Sequence, residues 1–142
     1  MERKEVIVDA SVVVKWFVEE EYSREARLMR DAYANRLIDI AAPSLLPYEV
    51  LNALKYSGAF GEEELKEVAK TLEDFQLTLY NLEGKLAEKS VELAMRKGIT
   101  IYDASYVALA QILNTELYTA DEKLIRKVRG LNIIKHIAQF KI

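Results

Sequence analysis

The sequence predicts a three-layer α/β/α sandwich with a mainly parallel central sheet, and three observations predict it. Short runs rich in Val, Ile and Leu alternate with longer amphipathic stretches from end to end, the pattern of strand–helix–strand units. The run Val6, Ile7, Val8 is apolar at consecutive positions, which suits a strand covered on both faces. At 142 residues, 51% hydrophobic and 30% charged, the chain has material for a sizeable core. No repeat, low-complexity tract or linker interrupts it, so residues 1–142 are expected to form one domain.

EVIVDA reads as the first strand, and SVVVKWFV begins a helix despite β-branched valines that favour strand locally. Ser23 is placed to cap a helix through EARLMRDAYA, in which Ala26, Leu28, Met29 and Tyr33 approximate one apolar face. LIDIAA is the second strand. Pro43 and Ser44 then mark the start of the helix LPYEVLNALKYS, with Pro47 tolerated in its first turn and Gly58 beyond its end. Gly61 opens an acidic helix toward Phe75, and QLTLY is the third strand. KLAEKSVELAMRK is a helix with Leu86, Val91, Leu93, Ala94 and Met95 as its apolar set and Gly98 as its C-terminal cap. ITIYDASYVALAQ reads as a strand end running into a buried helix. ELYTA, the basic helix DEKLIRKVR closed by Gly130, and LNIIKHI complete the alternation.

Composition excludes several classes of function. Cysteine is absent, so disulfides, thiolate metal sites and thiol nucleophiles are ruled out. One histidine, His136, cannot build a histidine-rich metal centre; in an alternating terminal strand it reads as structural. Asp9 and Lys15 interrupt the N-terminal apolar run, and no segment is long and apolar enough to span a bilayer. A cytoplasmic protein is expected. The net charge of −3 and pI near 5.3 argue against a general nucleic-acid coating protein.

Asp103 raises the sharpest question. A carboxylate among Ile101, Tyr102, Ala104 and Val107 must cap a helix or be held by positive charge, because an unpaired buried charge is costly. Three further acids share its setting: Asp9 ends the first strand, Glu49 lies one turn into the helix after the second, and Asp121 follows ELYTA. Each alone has a structural explanation, since aspartate caps helices well and favours their N-terminal dipole. Together they fall where strands give way to helices, and in open α/β sheets ligands bind beyond the carboxyl ends of the strands. Carboxylates gathered there repel one another unless a cation joins them. An all-oxygen set without histidine or cysteine suits Mg²⁺ or Mn²⁺. Ser11 and Thr119, each two positions from an aspartate, and Asn52, one turn after Glu49, are placed to support the acids.

VDAS at 8–11, PYEVLNAL at 47–54, YDASYVALA at 102–110 and YTADEKL at 118–124 resemble the four acidic motifs of the PIN-domain family, in particular its VapC-like toxin branch. The resemblance runs nearly end to end, in the family's order. It implies a Mg²⁺- or Mn²⁺-dependent endoribonuclease of PIN-like fold, with Asp9, Glu49, Asp103 and Asp121 holding one or two ions. It also implies a homodimer, a role as the toxin of a toxin–antitoxin pair, and a small antitoxin partner.

The chemistry stands apart from the family. A divalent ion inverts the field of an acidic pocket so that a phosphodiester can enter, and lowers the pKa of its bound water. In-line attack then leaves a 5′-phosphate and a 3′-hydroxyl. Lys15, Lys55, Arg126 and Lys127 follow the acidic motifs and are candidate phosphate contacts. Three rivals remain: a non-catalytic PIN-fold scaffold for dimerisation or partner binding, a phosphoacceptor signalling domain, and a PIN-type RNA-processing or DNA nuclease. VIVDAS supplies one acid where a phosphoacceptor domain needs a pair, which weighs against the second.

Overall fold

The computed structural model describes residues 3–142. β1 (Lys4–Val8) leads into a short helix α1 (Ala10–Val13) that tightens into a 3-10 turn over Val14–Trp16. α2 (Ser23–Ala34), β2 (Ile38–Pro43), α3 (Leu46–Ser57) and α4 (Glu62–Phe75) follow. Then come β3 (Thr78–Tyr80), α5 (Gly84–Lys97), α6 (Ile101–Ile112), β4 (Leu117–Thr119), α7 (Glu122–Lys127), β5 (Ile134–His136) and a 3-10 turn over Ile137–Gln139.

The five strands form one sheet in the order β3-β2-β1-β4-β5, and every neighbouring pair is parallel. The chain therefore builds outward from β1 to β3, returns to the centre, and builds outward again on the other side. The reversal falls between β1 and β4, where Val8 is in register with Tyr118. Helices that leave adjacent strands on opposite sides open a crevice at such a point.

Val6, Ile7 and Val8 are all buried, as a strand covered on both faces requires. Seven consecutive residues of α6, Ala104 to Ala110, are buried as well. A helix that is apolar all round belongs inside a domain, and α6 packs against α5, β1 and β2. Deleting a fully buried side chain such as Leu109, 1% exposed, costs about 2–5 kcal/mol.

Four local expectations need correction. Ser23 does not cap α2: Tyr22 holds the capping position at φ +68°. The buried Ser23 hydroxyl instead donates to the Val18 carbonyl at 2.8 Å and accepts from the Glu20 amide at 2.9 Å, which ties the preceding loop to the helix. Pro43 ends β2 rather than opening a helix, and α3 starts at Leu46 with no side-chain cap. Ile99 and Thr100 form no strand. The Ile99 amide donates back to Ala94, and the Thr100 hydroxyl accepts the Asp103 amide at 3.0 Å as the cap of α6. On α5 the inward stripe is Leu86, Ser90, Leu93 and Ala94. Val91 and Met95 lie about 100° around the helix from Ser90 and Ala94, and are 52% and 80% exposed.

Other expectations hold in place. Gly58 and Gly98 end α3 and α5 in left-handed conformations at φ +78° and +64°. Trp16, in the run SVVVKWFV read as the start of a helix, is buried with its ring 5.2 Å from that of Phe75. His136 is packed into the fold, its Nδ1 accepting the Ala138 amide at 2.9 Å and its ring meeting Tyr22 edge to face, while its buried Nε2 finds no partner among the described residues. Among the described residues no helix is long and apolar enough to cross a membrane.

Candidate active site

Asp9 sits at the switch point, between the end of β1 and the start of α1, with extended backbone at φ −102° and ψ 177°. Its Oδ1 accepts the Ser11 amide at 3.1 Å and the Ser11 hydroxyl at 2.5 Å. Its Oδ2 accepts the Thr119 hydroxyl at 2.5 Å. The residue is 7% exposed. Burial pushes its pKa up to about 6 despite the two hydroxyl bonds, and the charges of Asp121 and Asp103 push the same way.

A small polar lattice extends from this residue. The Ser11 hydroxyl accepts the Ala120 amide at 2.8 Å and lies 3.3 Å from that of Thr119. Thr119 in turn accepts the Asp121 amide at 3.0 Å. Asp121 caps α7 by accepting the Leu124 amide on Oδ1 at 3.1 Å. The capping reading and the site reading of Asp121 are thus compatible, because a carboxylate has a second oxygen.

Glu49 reaches the same rim from the first turn of α3. Its Oε1 accepts the Tyr106 hydroxyl at 2.7 Å. Burial raises its pKa, the Tyr106 bond opposes that rise, and Asp103 adds to it. Asp103 stands on the first turn of α6, half-buried; burial and Asp121 raise its pKa, while Thr100 and Lys127 lower it. Burial and the neighbouring acids drive the pKa of the Tyr106 hydroxyl strongly upward, so it stays a donor. The four carboxyls are therefore one electrostatic unit, each within the field of another.

None of the four forms an ion pair with a lysine or arginine among the described residues. Nor do three or more of them lie close enough together to hold one metal ion among those residues. The donor set is all oxygen, the chemistry that suits Mg²⁺ or Mn²⁺, and its carboxylates share one field that the charge of Lys127 offsets only at Asp103.

The residues expected to assist are divided. Ser11 and Thr119 hold Asp9 directly. Asn52 is exposed and lines a cavity of about 470 Å³ between α3 and α4, together with Tyr48 and Lys66. Lys55 borders the same cavity, its ammonium 4.8 Å from the ring of Tyr56. Lys15 is buried and paired with Glu20 at 3.0 Å, which removes it from the solvent-facing set. Arg126 and Lys127 are exposed in the last turn of α7, and the charge of Lys127 acts on Asp103.

Two contributors escaped the sequence reading. Ala120, unremarkable in the motif, acts through its backbone amide, which no side-chain pattern announces. The Tyr106 hydroxyl points from a buried helix to a residue 57 positions away. In the sequence Tyr106 flanks Asp103, where substrate contact or helix packing is the expectation and packing the better one; the bond to Glu49 is what the sequence does not reveal.

The chain matches the family model described as PIN domain over residues 6–131. Ribonuclease VapC3 of Pyrobaculum aerophilum is 34% identical over 131 residues, covering 89% of this chain and 96% of the relative. Ribonuclease VapC9 of Mycobacterium tuberculosis is 31% identical over 125 residues, covering 84% and 87%. A crystal structure from Pyrobaculum aerophilum superposes with a TM-score of 0.64 at 26% identity, over 95% of this chain and 90% of its own. A toxin–antitoxin complex from Klebsiella pneumoniae shares the fold with a TM-score of 0.70 at 20% identity, over 96% and 99%. With four acids on one rim of a parallel sheet and a family match across nearly its whole length, the chain belongs to the PIN domain family.

Proposed function

We propose that the protein is a divalent-metal-dependent endoribonuclease, acting as the toxin of a toxin–antitoxin pair. The observation that carries the reading is the linked carboxylate rim, in which Asp9, Glu49, Asp103 and Asp121 share one field and none forms an ion pair among the described residues. The relatives named VapC ribonucleases support the substrate class.

Asp9, Glu49, Asp103 and Asp121 would hold one or two Mg²⁺ or Mn²⁺ ions, which supply a nucleophile from water at neutral pH and neutralise charge on the phosphate. Asp9 is the fixed member, with both oxygens anchored by Ser11 and Thr119. Asp103, half-buried on the first turn of α6, would offer its carboxylate to the same cation. Arg126 and Lys127, exposed beside the rim, would contact the phosphates of the RNA strand. The products are a 5′-phosphate and a 3′-hydroxyl.

The same reading includes a small antitoxin partner and a homodimer. The Klebsiella complex that shares the fold is named as a toxin–antitoxin pair. The exposed apolar pair Val91 and Met95 on α5 supplies surface for association.

One relative, from Pyrobaculum aerophilum, is named an exonuclease and is 29% identical over 91 residues, so the mode of cutting needs a direct test. Purified protein is incubated with circular and linear single-stranded RNA, with Mn²⁺ or with EDTA. An endonuclease opens the circle only with metal, and Asp103→Asn leaves it closed. Degradation of linear RNA alone would establish exonuclease action; an intact substrate in every arm, beside a parent that takes up no Mn²⁺, would favour the scaffold reading.

A further inference from the structure

Tyr106 lies in the most completely buried stretch of the chain, and at 1% exposure its side chain cannot meet an RNA strand. Its ring needs only apolar neighbours, which phenylalanine would satisfy equally. The hydroxyl makes one hydrogen bond among the described residues, the 2.7 Å bond to Oε1 of Glu49. That bond joins the first turn of α3 to the second turn of α6, the two helices that bring Glu49 and Asp103 to the rim. Oε2 of Glu49 accepts no hydrogen bond among the described residues.

We infer that Tyr106 is a positioning residue for the carboxylate centre: by donating to Oε1 it fixes the carboxylate plane of Glu49 and leaves Oε2 for a cation. The inference rests on the metal-dependent nuclease reading and assigns Tyr106 no contact with substrate. Groups that orient a metal ligand in this way typically carry roughly 10–100-fold in metal affinity or activity.

The test is a double-mutant cycle of Tyr106→Phe and Glu49→Gln, read by calorimetric titration of Mn²⁺ and by cleavage kinetics, with thermal melts to establish that each variant is folded. Tyr106→Phe is expected to weaken Mn²⁺ binding roughly 10–100-fold and to lower kcat at limiting Mn²⁺. KM for RNA stays unchanged, and excess Mn²⁺ restores kcat. In the Glu49→Gln background the same change has little further effect, because its target is already altered.

A Mn²⁺ isotherm superimposable on that of the parent, or an equal loss in both backgrounds, would overturn the role of Tyr106 and leave the nuclease reading standing. A parent that neither binds Mn²⁺ nor cuts RNA would remove both together. A raised KM with Mn²⁺ affinity intact would place the effect of Tyr106 on RNA binding rather than on the metal site and overturn the inference.

Discussion

Thr119 donates its hydroxyl to Oδ2 of Asp9 across 2.5 Å, although the two residues are 110 positions apart in the chain. The Thr119 hydroxyl oxygen also accepts the Asp121 amide, so one buried hydroxyl serves two acids. Thr119→Val keeps the shape and removes both bonds. The expected result is a fall of about 1–3 kcal/mol in stability without metal. Cleavage should drop roughly 10–100-fold, measured beside denaturant melts. Wild-type cleavage would mean that Ser11 alone suffices to hold Asp9.

Stability without metal should depend on pH with a definite sign. The Asp9 carboxyl has a pKa raised from its ordinary 3.8 to about 6, so the folded state holds a proton that the unfolded chain has released between those values. Folding stability therefore falls as pH rises from about 4 through about 6 and is flat above, by about 3 kcal/mol in total. Glu49 and Asp103 are shifted in the same direction. Asp9→Asn should remove the Asp9 share of this slope, leaving that of Glu49 and Asp103, and stabilise the metal-free protein at pH 7 while abolishing cleavage. Melts in EDTA at pH 4 and pH 7 decide it; equal destabilisation at both would contradict the burial argument.

Metal should act as a folding ligand. Binding to the native state alone adds about 2.7 kcal/mol when Mn²⁺ is present at about 100 times its Kd. For a chain of this size that corresponds to a rise in Tm of roughly 5–10 °C. Asp103→Asn should melt near the parent in EDTA and show little of the rise with Mn²⁺. A full rise in the variant would take Asp103 out of the metal site.

Salt dependence separates the basic residues. Removing one phosphate-binding side chain should reduce the slope of log affinity for single-stranded RNA against log salt by about 0.7. Arg126→Ala and Lys127→Ala should each show such a reduction. Lys15→Met should not, because Lys15 is buried against Glu20. Filter binding over a KCl series from roughly 50 to 300 mM, with metal held constant, is the measurement. A slope unchanged in all three variants would move the RNA path away from α7.

The alternation of elements was legible because its signals are local. Three consecutive buried residues at Val6, Ile7 and Val8 and the left-handed stops at Gly58 and Gly98 are written in short windows. The four acids were legible for a related reason, since each stands at a cap or in the first turn of a helix. What escaped depends on distant packing. Val91 and Met95 match the apolar period of α5 loosely, and only the position of α6 decides that Ser90 turns inward in their place. Ser23 has the composition of a cap, yet the preceding loop claims its hydroxyl. Lys15 looks solvent-facing until Glu20 folds back on it.

The central place of β1 has a consequence for the timing of synthesis. Asp9 is made early, but Thr119, which completes its surroundings, follows 110 positions later, with Asp121 just beyond it. A nascent or prematurely terminated chain that stops short of Thr119 carries Asp9 without the Thr119 bond and without Asp121. Folding must also wait for this long-range strand pairing, which is slow compared with local helix formation. A chain released before that late strand is made therefore lacks a complete acidic rim.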